Sequence, residues 1–414
     1  MDPEFDVVVI GAGAAGLAAA QELLRAGRRV CCLEAQDRIG GRILTVRDAR
    51  APVPVELGAE FVHGRPSSIA VLAQKACVEL LETAGRAVNL VDGGDLEERA
   101  DDVLEDLARS ATGHHDETFE SWLARANYSG EKKHEAVAYV EGFNAARREV
   151  IGVESLAHDW RASAAIEGDR VFRVREGYDT ILGPLAAGVD VRLNTIVEGV
   201  AWKPGAVTVH VRGGDEIRAR RVVITVSLGV LQSGAIRFDP EPAEMLAAAR
   251  ALRFGDAFRV TFAFERAFWD ESRETKGAGF LFSDEPLFPV WWTARPMEAP
   301  MITGWSAGPK ADALIGQGGP AVIAEALSTL SRIAKIAAPS PLAVWFHDWH
   351  ADPWVRGAYS YVPAGAMPAR RKLAEPVADS LYFAGEHTDL VGYGGTVHGA
   401  IASGLRAAGQ IVGG

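Results

Sequence analysis

Asp6-Val7-Val8-Val9-Ile10-Gly11-Ala12-Gly13-Ala14-Ala15-Gly16 opens the chain as a β-branched run broken by three glycines. Four consecutive aliphatic residues ended by Gly11 read as a strand buried on both faces. Leu17 to Arg25 then reads as a helix, with Gly27 in the place of a C-terminal cap. Val30 to Leu33 is a second strand, ending at Glu34. The glycines fit G-x-G-x-x-G. Gly11 permits the turn, Gly13 lets backbone N–H groups approach a pyrophosphate, and Gly16 lets the helix sit close to the strand. The helix N-terminus at Ala14 and Ala15 favours the anion. Glu34, 23 residues after Gly11, is placed to accept ribose hydroxyls and to repel a 2′-phosphate. A dinucleotide-binding βαβ unit follows; NAD and FAD are not separated at this point.

The rest of the chain is consistent with a two-part globular protein. Its 414 residues carry a net charge of −12, with 48% hydrophobic and 24% charged residues, which excludes disorder and collagen-like repeats. The acidic balance argues against nucleic acid and against an anionic membrane surface. No run of 18 uncharged apolar residues exists to span a membrane. Cys31, Cys32 and Cys77 make neither a disulfide framework nor a cysteine-based zinc site, and no metal is expected. Met1 to Phe5 lacks the basic and apolar regions of a secretory leader and resembles a cloning remnant, so a cytoplasmic location is expected while a removed export signal stays open. From Ser67 to about Arg148 the pattern is helical and charged, notably over Asp95 to Arg109 and Glu131 to Arg148. Strand patterns return at Val189 to Leu193, at Val207 to Val211 and Glu216 to Arg218 around a Gly213-Gly214 turn, and at Val222 to Val226. A helical and then tryptophan-rich region precedes a strand at Leu381 to Ala384 and a final helix from Gly399 to Val412.

Downstream of the glycine loop, Arg38-Ile39-Gly40-Gly41-Arg42 sets a glycine pair between two arginines, which can offer guanidinium donors to a second phosphate region. With Leu57-Gly58-Ala59, Gly177-Tyr178-Asp179, Val223 to Leu231, Phe268-Trp269-Asp270, Asp352 to Tyr361, Leu381 to Thr388 and Gly395 to Ala400, the chain resembles the flavin-dependent amine oxidases, the family of monoamine oxidases, polyamine oxidases and flavin-dependent histone lysine demethylases. It is nearest the polyamine oxidase branch. Ser227 stands where proline is usual, and 67–167 match least.

The resemblance implies an α/β fold: a Rossmann-like FAD-binding domain (1–66, 165–240, 354–414) interleaved with a substrate domain of mixed sheet and helices (67–164, 241–353). It implies that Gly11, Gly13, Ala14, Ala15, Gly16, Glu34 and Ala35 hold the adenosine half of FAD. Gly40, Gly41, Arg42 and Glu386 lie along the pyrophosphate and ribityl chain. Gly58, Ala59, Glu60, Val200, Trp354, Tyr359, Gly385, Thr396 and Val397 complete the cofactor set. Monoamine oxidases tether flavin through a cysteine just before the tyrosine of the Gly-x-Tyr block. Here that residue is Ala358, so non-covalent FAD is expected.

For catalysis the resemblance singles out Arg259, Tyr359 and Thr396. Tyr359 matches the first aromatic-cage tyrosine and offers a π face to an amine; Thr396 stands in the second cage position. Arg259 replaces a lysine tied to a water at flavin N5 and to reactivity with oxygen. It keeps the charge but never deprotonates, and it either serves N5, turns outward or binds substrate. For the substrate, Glu60 is placed to pair with a distal ammonium, His63 borders the channel, and Trp291 and Trp292 offer aromatic faces. The implied reaction is hydride transfer from the carbon α to nitrogen onto flavin N5, giving an imine that hydrolyses, with oxygen or another acceptor taking the electrons. A polyamine or another primary or secondary amine is the expected substrate. An L-amino-acid or cyclic-amine oxidase, a C–C oxidising flavoenzyme, and a silent FAD-binding scaffold are the alternatives. Oligomeric state is left open between monomer and homodimer.

Overall fold

A computed structural model describes residues 3–91, 94–95, 101–111 and 116–413. The opening strand, Phe5–Ile10, forms as expected. Val7, Val8 and Val9 are fully buried and Ile10 nearly so, because helices cover one face and a second apolar layer covers the other. It pairs in parallel with Val30–Leu33 on one side and with Glu216–Ile224 on the other. Asp190–Arg192 extends the first edge and Leu381–Phe383 lies beside the far end of Glu216–Ile224, both in parallel. The hairpin predicted around Gly213-Gly214 joins Ala206–Val211 to Glu216–Ile224 antiparallel. With Val197–Lys203 and Arg237–Asp239 these make an eight-stranded sheet among the described residues.

Two helices seal one face of this sheet. Ala14–Arg25 packs on the strand end through Gly16 and crosses the final helix, Val397–Gly413, where Gly404 meets Ala15. A Cβ on Gly16 would lie 1.8 Å from the Gly11 carbonyl oxygen, and one on Gly404 would lie 2.1 Å from that of Ala15. Backbone contact here brings the N-terminus of Ala14–Arg25 to the ends of the parallel strands, where a nucleotide would sit.

A second sheet of seven described strands runs in the order Ala343–Phe346, Ala257–Ala263, Met301–Ala307, Val290–Thr293, Ala278–Phe282, Arg86–Asn89, Gly94–Asp95. The helix Gly319–Ala334 joins its apolar core. The tryptophan-rich region is therefore largely strand. A three-stranded sheet, Phe61–His63, Val171–Val174 and Leu80–Glu82, stands apart from both.

Several expectations need correction. Residues 67–148 are not continuously helical: Leu80–Glu82 and Arg86–Asn89 are strands whose partners lie far along the chain, and such pairing overrides local pattern. Of the helix expected over Asp95 to Arg109, Asp101–Ser110 is helical, Gly94–Asp95 is strand, and residues 96–100 lie outside the described set. The two strands expected at 216–218 and 222–226 are one, Glu216–Ile224, because its first half pairs with Ala206–Val211 and its second half with Phe5–Ile10 and Leu381–Phe383. The helix Ser67–Ala76, expected with the substrate part, places Ile69 and Leu72 in the core of the first sheet. Ser227 also has a reason: its hydroxyl accepts from the Val230 amide, capping the helix Leu228–Gln232, and donates to the Val355 carbonyl at 2.6 Å.

Candidate functional site: a glycine-loop cavity opening into an aromatic chamber

A cavity of about 1840 Å³ runs from the glycine loop to the second sheet. At one end it is lined by Gly11, Gly13, Ala14, Ala15, Glu34 and Ala35. Gly11 has φ +104°, open to glycine, and a Cβ there would meet the Thr225 hydroxyl at 2.8 Å. Gly13 caps the following helix without a side chain, so the first-turn amides face the cavity without a protein cap. Glu34 accepts from the Ala12 amide at 2.7 Å and the Gln36 amide at 2.9 Å. Burial raises its carboxyl above the ordinary value despite these bonds. Gly16 does not line the cavity; it serves the helix–strand contact described above.

Farther in, Gly40, Gly41 and Arg42 line the wall. Arg42 donates to the Ala358 carbonyl at 2.7 Å and to Glu386 at 2.9 Å. Glu386 also accepts from the Ser360 hydroxyl (2.6 Å) and the Gly395 amide (3.0 Å). Burial opposes its charge, but Arg42 and the hydrogen bonds bring its carboxyl down to about 2. Arg38, the other arginine of the glycine pair, turns back onto the Gly41 and Ile43 carbonyls and is no phosphate donor. Gly58, Ala59, Trp354, Gly385 and Val397 line the cavity. Val200 does not: it is buried in the core behind, and Val197, earlier on the same strand, takes the lining position.

The other end is an aromatic chamber. Phe61 packs on Trp292 (5.3 Å) and Phe280 (5.7 Å), Trp292 on Trp305 (5.9 Å), and His63 on Phe143 (5.3 Å). Tyr359 donates its phenol to the Phe143 carbonyl at 2.7 Å, and burial pushes that phenol above its usual range. Burial lowers His63 to about 4, so its ring is neutral near pH 7. Trp291 faces the opposite side of its strand, fully buried against Gly304 and Phe262, and is core rather than lining. Thr396 lines the cavity, but its hydroxyl donates to the Tyr393 carbonyl and accepts from the Gly399 amide. It fixes the start of the final helix.

Glu60 and Arg259 are the largest departure from expectation. Arg259 is 4% exposed, so it does not turn outward. It donates to the Gly58 carbonyl at 2.9 Å and to Glu60 at 2.5 Å. The other Glu60 oxygen is held by Arg173 at 2.6 Å, and Trp292 adds its indole N–H at 3.0 Å. Burial would raise the Glu60 carboxyl, but Arg173 and then Arg259 outweigh it and leave it lowered. Glu60 is thus neither a surface carboxylate nor an open partner for a distal ammonium. Arg173, Phe143 and Trp305 were missing from the sequence reading. Trp305 and Arg173 were accessible through strand alternation; Phe143 had no local signal.

The glycine-lined channel, its uncapped amides and Glu34 suit an extended dinucleotide. The buried Nδ1 of His387, beside Glu386, has no hydrogen-bond partner within the protein, but His387 does not line the cavity. No cluster of His, Cys, Asp and Glu suited to a metal occurs among the described residues. No described helix is long and apolar enough to cross a membrane.

Comparison with known proteins agrees with this geometry. The sequence profile of the flavin containing amine oxidoreductases matches over residues 14–150 and 95–412. Polyamine oxidase 3 of Oryza sativa subsp. japonica is 30% identical over 440 residues, covering 97% of this chain and 88% of its own. Lysine-specific histone demethylase 2 of Homo sapiens is 29% identical over 98% of this chain but 53% of its own length, so the chain spans about half of that relative. Putrescine oxidase bound to putrescine superposes with a TM-score of 0.84 at 22% identity, over 99% of both chains. Cyclohexylamine oxidase from Brevibacterium oxydans gives 0.83 at 22%, again over 99% of both. The chain belongs to the family of flavin containing amine oxidoreductases, and its cofactor is FAD, without a cysteine at Ala358 to tether it.

Proposed function

We propose that the protein is an FAD-dependent amine oxidase that takes a small primary or secondary amine and oxygen to an imine and peroxide. The observation that carries this reading is the single cavity joining the dinucleotide-type loop to a chamber walled by Phe61, Trp292, Trp305 and Tyr359. Gly11, Gly13, Glu34, Arg42 and Glu386 are the residues proposed to hold FAD. Bound FAD supplies the acceptor for the hydride leaving the carbon α to nitrogen.

The protein's part is to bring the amine in uncharged. An alkylamine has a pKa near that of lysine, about 10, and the nitrogen lone pair must be free as the C–H bond breaks. Aromatic walls that exclude water favour the neutral form without a dedicated base. The ring nitrogens of His63 and the phenol of Tyr359 hold no charge near pH 7. Tyr359 presents its ring, fixed by the bond to Phe143. Arg259 cannot act as a base; it ties the Gly58 carbonyl to Glu60 and so positions the loop Leu57 to Glu60 along the cavity.

Amine-dependent peroxide release by the FAD-loaded protein, with the matching aldehyde or ketone in equal amount, tests the proposal. Peroxide without carbonyl product would refute it in favour of the C–C oxidising alternative, and none with any amine while FAD stays bound would refute it in favour of the silent scaffold.

A further inference from the structure

We infer that the chamber selects amines carrying one cationic centre and an apolar body, and discriminates against short diamines. The inference rests on the proposed amine oxidation and names the substrate class of that site.

The argument is one of charge compensation. A second ammonium buried near the rings needs a carboxylate with charge to spare, because an unpaired buried cation is costly. Three carboxylates adjoin the rings by contact or along the chain. Glu60 is shared by two guanidinium groups, Arg173 and Arg259, which leaves it no charge to spare, and the buried Glu56 lies in the field of the same two arginines. Glu386 is paired with Arg42. Glu141, two residues from Phe143, lies 3.9 Å from Arg148, which it shares with Glu120, and within the field of Lys310. Glu60 and Glu386 offer a second ammonium no uncompensated partner, and Glu141 shares its stretch of wall with two cations, Arg148 and Lys310. What the chamber does offer is apolar: Phe61, Phe143, Phe280, Trp292 and Trp305, with a neutral His63.

The cavity also reaches carboxylates at its outer end, but these are distant. Asp284, which meets His134 at 2.9 Å, and the exposed Asp169 also line it; Glu131, His134 and Glu135 line it from the start of the helix Gly130–Asn144, whose last turn carries Phe143. At 1.5 Å per residue they stand roughly 12 to 18 Å from Phe143 along the helix axis. A six-carbon diamine, with bonds of about 1.5 Å, separates its nitrogens by only about 9 Å. Its distal ammonium would be left among the aromatic rings.

Hexylamine and 1,6-diaminohexane, which differ only by that ammonium, provide the test. Their dissociation constants are read by anaerobic stopped flow, from the concentration dependence of the flavin spectral change in the holoenzyme, and turnover is read separately from peroxide. Hexylamine is expected to bind about tenfold more tightly or better. Arg173→Met, which leaves Glu60 shared with Arg259 alone, is expected to narrow that ratio about threefold or more; a folded variant with an unchanged ratio contradicts the role given to Arg173. Equal or tighter binding of the diamine, tighter binding of spermine than of hexylamine, or no perturbation by either six-carbon amine overturns the inference in the wild-type protein itself. Selective binding of hexylamine without turnover would uphold it while refuting the oxidase reading.

Discussion

Glu60 shows how one residue changes meaning with its surroundings. In sequence it is a carboxylate beside a substrate channel; in the structure both of its oxygens are taken by arginines and an indole. With His63 and Tyr359 uncharged as well, none of the described side chains shown to wall the rings titrates near neutrality; Glu56, raised to about 7 by burial, lies in the field of Glu60 and Arg259 but does not line the cavity. The pH dependence of kcat/KM should therefore follow the substrate: it is expected to rise about tenfold per pH unit below the amine pKa. A bell-shaped profile with a limb near pH 6 to 7 would instead assign a base to the site. Arg42 makes the complementary case. Its removal in Arg42→Met leaves Glu386 buried and unpaired, at a cost of about 3 kcal/mol. Retention of FAD after gel filtration and midpoint denaturant concentration are both expected to fall; unchanged values would mean that Glu386 finds another partner.

At the scale of elements, the crossing of Ala14–Arg25 with Val397–Gly413 sets the position of the glycine loop. Gly404→Val would put a side chain into the Ala15 carbonyl. The expected loss is about 3 kcal/mol or more, since backbone would have to move, with lower urea stability and less bound flavin. Wild-type stability would show that the helices separate freely. Sequence made the glycine loop legible because turn, anion site and close packing each require glycine at a set spacing. It gave no warning of Gly404, whose partner lies at the other end of the chain. For the same reason the strands Leu80–Glu82 and Arg86–Asn89 were hidden within an apparently helical stretch. Long-range ion pairs were hidden too: Arg173 and Arg259 meet at Glu60 from three separate strands or loops, and spacing does not encode that meeting. The alternation of Trp291 and Trp292 across a strand was readable in principle, and it sends the first into the core and the second to the chamber.

Across the whole molecule, burial of uncharged histidine couples stability to acidity. His63, His387 and His398 are each lowered to about 4 from 6.5, burial being the leading cause. Between those values the unfolded chain binds protons at these three histidines that the folded chain refuses, so stability falls as pH drops from about 6.5 to about 4, offset in part by the one carboxyl of Glu56, which burial raises to about 7 and which protonates first in the folded state. Glu386, with its carboxyl at about 2, adds a loss as pH falls from about 4.5 toward 2. A melting temperature that declines over the first window, and declines less in His387→Asn, is the expected outcome; a flat curve from pH 7 to 4 would contradict it. The central claim is that one cavity brings an uncharged amine to a dissociable flavin. Its most direct test is anaerobic titration of the FAD-reconstituted protein with hexylamine, monitored in the visible flavin band and followed by acid precipitation. The account predicts bleaching by the amine and yellow cofactor released to the supernatant; flavin that stays oxidised under every amine, or that stays in the pellet, would contradict it.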